Sequence, residues 1–327
     1  MKRRTFIKAT ASVPFTLAAP AVLRAAGKRT LRIGVITPAS HFWSECMVRV
    51  GESLNAKTSG AIETTVFPSG QLGNEPTMIQ QIQAGSLDMG FLTVAEFSNR
   101  IDDMASLFAP YLVTNVDDAA TLLKGPTATG MLDQYTTLGM KGLGFGLGGM
   151  RHLIALSKSA TADDLAGKKF RITPFAPLRD FYDLMEVAPT PIPLPGLFDA
   201  LANGQVDGAD IDLELAWKLK LFDKARNLTT TNHMMFPNVA VMSGRVWASL
   251  DDSEKQLVAE TVSEELDWLF AQYSAFDPKW LEDLKGTGIA VQAADEQFFG
   301  PVLDEWSGIW EPKAPSIAGL RSEAASL

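Results

Sequence analysis

Between residues 31 and 94 strand and helix patterns alternate, and this alternation constrains the fold more than any other feature. Residues 31–36 form an apolar run of strand length. Trp43, Met47, Val50 and Leu54 then recur every three or four residues, a helix that Ser40 would cap and Gly60 would end. Ile62–Phe67 reads as a second strand. Asn74 reads as the cap of a second helix, with Pro76 in its first turn and Gly85 past its end, and residues 87–94 as a third strand. Strands joined through helices are not hairpins; they build a mostly parallel sheet covered by helices, an α/β fold.

A chain of 327 residues exceeds one ordinary core, so two domains are expected. The character changes near residue 142, where Gly142, Gly144, Gly146, Gly148 and Gly149 puncture a strand-like segment and Arg151 follows, which predicts a crossing between two lobes. A new run then begins: a turn at Asp163-Asp164, a strand over 170–173, and a helix over 195–203 closed by Gly204. Residues 251–285 carry one long helical pattern through Val258, Val262, Leu266, Leu269, Tyr273 and Phe276. Ser249 and Asp252 resemble its capping box and Gly286 its stop, while Pro278 predicts a kink or break at Asp277.

The first 26 residues read as an export signal. MKRRTFIK is basic, residues 9–22 are mildly apolar, and small residues follow. A stretch holding Pro14 and Pro20 is too short to cross a hydrocarbon core of ~30 Å, so membrane insertion is not expected. Arg3-Arg4-Thr5-Phe6-Ile7-Lys8 resembles the twin-arginine motif, and cleavage is expected within about 21–26. Removing the segment takes five bases and no acid from a chain whose net charge is already −9. Such an acidic body does not favour nucleic acid or anionic lipid, and any anion it binds needs a local arginine.

Composition excludes several chemistries. One cysteine forms no intrachain disulfide or sulfur-ligated cluster, and His41, His152 and His233 lie at no metal-ligand spacing. Residues 144–149 match G-x-G-x-x-G, but a strand-like segment follows where a dinucleotide site needs a helix. The run 125–130 begins like a phosphate loop, yet Met131 stands where lysine is required. Cys46 falls on the apolar side of the first helix, the place of an inert buried thiol. No serine elbow is present, so no cofactor and no nucleophile with an attached base are implied. In Phe170-Arg171-Ile172 strand alternation sends the guanidinium away from the apolar face, as either an anion anchor or a solvated arginine. Asp210, Asp212 and Glu214 alternate likewise, and their spacing alone favours a solvated edge over a cleft wall.

Several blocks carry a family resemblance. Residues 67–73 (FPSGQLG) and 80–88 (QQIQAGSLD), 165–171 (LAGKKFR), Pro189-Thr190-Pro191, 201–208 (LANGQVDG) and Thr231-Asn232-His233 are similar, in order, to the solute-binding proteins of TRAP transporters. The resemblance implies a two-lobed α/β binding protein that exchanges strands between lobes, has a long helix crossing both, and closes on its ligand. It places 27–148 and 237–276 in one lobe, and 149–236 and 277–327 in the other. The family's carboxylate-binding arginine matches Arg171, and a second arginine matches Arg151. Ile211 stands at a wall position that is often asparagine, and Phe236 where relatives place an aromatic ring. Thr93 and Glu96 fall in a loop that often touches ligand; Trp43, Leu194, Trp217, Asp210 and Asp212 are further cleft candidates.

The implied function is periplasmic capture of a small organic carboxylate by a monomer that delivers it to TRAP membrane subunits. A hydroxy, keto or aromatic acid is favoured over a sugar acid by Ile211, Phe236 and Leu194, while Asp210 and Asp212 would admit a zwitterion. The alternative is a periplasmic enzyme exported folded by the twin-arginine route.

Overall fold

A computed structural model describes residues 28–327. The export-signal expectation lies outside the described residues. β1 (Arg29–Val35), β2 (Ile62–Phe67) and β3 (Met89–Thr93) are parallel, with β1 between the other two, as the alternation predicts. The intervening helices are α1 (Phe42–Lys57) and α2 (Glu75–Ala84). α2 has the expected ends: the Asn74 side chain accepts from the Thr77 backbone N–H, and Gly85 closes it at φ 78°. α1 is capped by His41 rather than Ser40. The imidazole Nδ1 accepts from Trp43 N at 3.2 Å, while the Ser40 carbonyl is turned outward to the Lys218 ammonium.

The chain then leaves this sheet and comes back to it. β4 (Met140–Met150) runs along its edge, and Arg151 begins a second sheet built from β5 (His152–Ala155), β6 (Lys169–Ile172), β7 (Ala188–Pro191), β8 (Gly208–Ile211) and β9 (Asn227–Thr230). β10 (Met235–Ser243) returns and inserts antiparallel between β3 and β4; β11 (Ala290–Ala293) completes the second sheet beside β9. The strand orders are β2-β1-β3-β10-β4 and β11-β9-β5-β8-β6-β7. The two crossing segments are tied together: Arg151 N donates to the Met234 carbonyl at 2.8 Å, and the Thr231 hydroxyl to the Arg151 carbonyl at 3.2 Å. The fold is therefore two-lobed α/β with strand exchange.

The glycines of β4 are explained by close packing. A Cβ on Gly144 would come within 2.6 Å of Leu266, and one on Gly148 within 2.6 Å of the Trp43 ring. A strand here, with no helix opening after it, removes the nucleotide-loop match. Cys46 is buried, its thiol donating to the Glu265 carbonyl at 3.3 Å, and burial raises its pKa, so it is held as an inert thiol.

Three expectations about the C-terminal third are corrected. The long helix spans Asp252–Gly286 without a break at Pro278. Its capping box is Asp251 with Glu254, not Ser249 with Asp252, because Asp251 is the residue with extended backbone whose carboxylate reaches the Glu254 N–H. The last helix, Ser316–Ala324, is not part of the second lobe. The Ser316 N–H donates to Asp103 at 2.9 Å, and Glu323 accepts from Thr127 N at 2.9 Å, both partners lying in the segment of the first lobe.

Candidate functional site

A cavity of about 350 Å³ lies between the lobes. Trp43, Thr93 and Glu96 line it from the first lobe; Arg151, Arg171, Leu194 and Ile211 line it from the second, with Phe236 at the start of β10. Pro174, Pro191 and Pro193 add walls whose backbone is fixed by their rings. The indole Nε1 of Trp43 donates to the Leu147 carbonyl at 3.0 Å, which sets its ring against the cavity.

The two arginines differ. Arg151 is saturated: its Nε and Nη2 engage Asp210, Nη1 donates to Asp212 Oδ2 at 3.2 Å, and the guanidinium stacks on Phe236 at 4.3 Å. Arg171 is only 2% exposed, yet among the described residues no carboxylate pairs with it. Its Nε donates to the Ile192 carbonyl at 2.8 Å, and Nη1 reaches the Asp210 carbonyl at 3.5 Å. Burial, reinforced by the Arg151 charge, lowers its pKa to about 9. A buried cation with no anion of its own is costly to hold in the fold.

The acids expected at a solvated edge are buried. β8 is a central strand, paired along its two edges with β5 and β6, and Asp210 on it is fully enclosed. It accepts from the Tyr182 hydroxyl at 3.0 Å and faces His233 Nε2 at 3.1 Å. Burial opposes its ionisation, but Arg151 and His233 outweigh this and hold its pKa below the carboxylate range. Asp210 thus supports Arg151 and does not line the cavity. Asp212 does line it, but one oxygen takes Arg151 and the other caps the next helix through Leu215 N at 2.8 Å. Trp217 lies off the cavity, stacked on Phe222.

Glu75 is the charged lining residue that sequence reasoning missed. It sits in the first turn of α2 and accepts from Thr93 N at 2.6 Å and the Thr93 hydroxyl at 2.9 Å. Burial pushes its pKa up to about 7 against those hydrogen bonds. An acid beside an N-cap is ordinary helix-dipole chemistry, so nothing in the sequence singled it out. Glu96 also lines the cavity, but its carboxylate pairs with Arg100 at 2.5 Å.

The DctP family model, bacterial extracellular solute-binding protein family 7, matches residues 33–307. The chain is 23% identical over 323 residues to the sialic acid-binding periplasmic protein SiaP of Vibrio cholerae, covering 97% of this chain and 100% of that protein. A sugar acid binding protein from Advenella mimigardefordensis in complex with galactonate superimposes with a TM-score of 0.86 at 21% identity, covering 92% of this chain and 99% of that one. A TRAP periplasmic solute binding protein from Desulfovibrio salexigens with bound orotic acid gives 0.85 at 20% identity, covering 91% and 99%. Among the described residues no helix is long and apolar enough to cross a membrane. The two-lobed architecture and the family match agree: this chain belongs to bacterial extracellular solute-binding protein family 7, the DctP-type solute-binding proteins of TRAP transporters, and is a binding protein rather than an enzyme.

Proposed function

We propose that this protein captures a small organic carboxylate in the interlobe cavity, in the periplasm, and delivers it as a monomer to the membrane subunits of a TRAP transporter. The observation that carries this is Arg171: a buried guanidinium lining the cavity with no carboxylate partner among the described residues. A ligand carboxylate would complete it, and the planar fork suits two parallel N–H···O bonds. Sialic acid, galactonate and orotic acid, named for the relatives, all share that group. Ile211 offers no amide, and Trp43, Phe236, Leu194 and Leu215 add apolar wall. The site therefore suits a hydroxy, keto or aromatic acid better than a polyhydroxylated sugar acid.

Lobes 27–148 with 237–276, and 149–236 with 277–315, would close on the ligand about the segments at Arg151 and Met234. Among the described residues the exposed large hydrophobics are Val48, Leu156 and Leu327, too scattered for a dimer patch, which supports a monomer. A thermal-shift screen of carboxylates tests the reading. At about 100 Kd a cognate acid stabilises by ~2.7 kcal/mol, a shift of several degrees. Neutral sugars raising the midpoint while no carboxylate does so would contradict it.

A further inference from the structure

Beside the main cavity lies a second, smaller one of about 110 Å³. Pro38 and Ser69 wall it from the first lobe, Phe198 and Leu219 from the second, and Ile36 and Leu194 line both cavities. The chemistry of the two differs. Arg171, Arg151, Asp212, Glu75 and Glu96 all line the main cavity, whereas the lining of the smaller one holds no charged side chain and, in Ser69, one hydroxyl. A hydroxylated tail placed there would give up hydrogen bonds to water with little in return. Apolar wall left facing water between the lobes is unfavourable, and covering it with ligand carbon stabilises the complex.

We infer that the side cavity is an apolar subsite, and that the ligand is an amphipathic carboxylate whose aliphatic tail passes between Ile36 and Leu194 into the space walled by Phe198 and Leu219. This rests on Arg171 as the carboxylate anchor. The ligand would then bridge the lobes twice, through its carboxylate in the main cavity and its carbons in the side cavity. Tail length, more than headgroup decoration, would set specificity.

The test is calorimetry with butanoate, hexanoate and octanoate, each with its 2-hydroxy counterpart. Each methylene that enters the subsite is expected to tighten binding about fourfold. Leu219→Trp fills the subsite, so octanoate should fall to the affinity of butanoate while butanoate itself is unchanged. Should that variant fail to fold, Phe198→Ala removes a wall without adding bulk, and should cut the octanoate advantage at least threefold with butanoate unchanged. Short acids that bind with no dependence on chain length overturn the subsite and leave the carboxylate reading standing. A chain-length dependence that both variants retain also overturns it. Failure of every carboxylate to bind removes the parent reading and this inference together.

Discussion

Replacing Arg171 by methionine should move stability and binding in opposite directions. The side chain is buried, and burial lowers the guanidinium pKa from 12.5 to about 9. At 1.36 kcal/mol per unit, the ligand-free protein bears on the order of 5 kcal/mol, net, for holding that charge buried and beside the Arg151 cation. Methionine retains the apolar stem and removes the charge, but leaves the Ile192 carbonyl without its donor, a loss of about 1–3 kcal/mol. The balance favours the variant by roughly 2–4 kcal/mol, so its ligand-free melting midpoint should rise by several degrees. Binding should collapse, because truncating one member of a desolvated charge pair costs about 2–5 kcal/mol, or roughly thirty- to several-thousand-fold in Kd. Arg171→Lys should not rescue it, since a point charge cannot form two parallel bonds to a carboxylate. Differential scanning calorimetry without ligand and titration calorimetry with a cognate acid read the two effects separately. Affinity within about threefold of wild type, or a ligand-free midpoint that falls, would refute the reasoning.

Glu75 titrates near pH 7 inside the same cavity, so its ionisation should repel a ligand carboxylate. Affinity for a simple monocarboxylate should rise a few-fold from pH 8 to pH 6, and Glu75→Gln should flatten that profile; a slope that survives the substitution sinks the assignment. Asp277 has an Oδ1 shut away from water without a partner, and burial, then Asp212 and Glu214, raise its pKa from 3.8 to about 7. A raised carboxyl pKa gives stability that is fully present below about pH 4 and lost as pH rises through 7. Asp277→Asn should therefore be the more stable protein at pH 8, by a few kcal/mol in urea, with the difference vanishing near pH 4; equal stability at pH 8 contradicts this. Gly148→Ala would drive a methyl into the Trp43 ring and should lower the unfolding free energy read from urea titration by about 1–3 kcal/mol; an unchanged urea midpoint would show that the ring yields freely.

The first five elements were legible because their signals are local: apolar spacing in α1, Asn74 and Gly85 at the ends of α2, and runs of strand length between them. The lobe crossing was legible because alternating glycines mark a strand that other groups approach closely. What escaped depends on residues distant in sequence. Asp210 looked like a solvated edge since alternation tells which residues share a face, not what covers that face. The cover is Arg151, 59 positions earlier, together with Tyr182 and His233. The last helix was misplaced for the same reason, its partners Asp103 and Thr127 lying about two hundred residues upstream. Arg171 could be named from a motif, but only the structure distinguishes it from Arg151, by the carboxylates one has and the other lacks.

The central claim is that Arg171 is completed by the carboxylate of the ligand. A crystal structure of the protein with a bound cognate acid tests it most directly. The account predicts both carboxylate oxygens within about 3 Å of the Arg171 guanidinium nitrogens, with Arg151 still paired to Asp210 and Asp212. A ligand whose carboxylate lies elsewhere, with the Arg171 fork still empty, would contradict it.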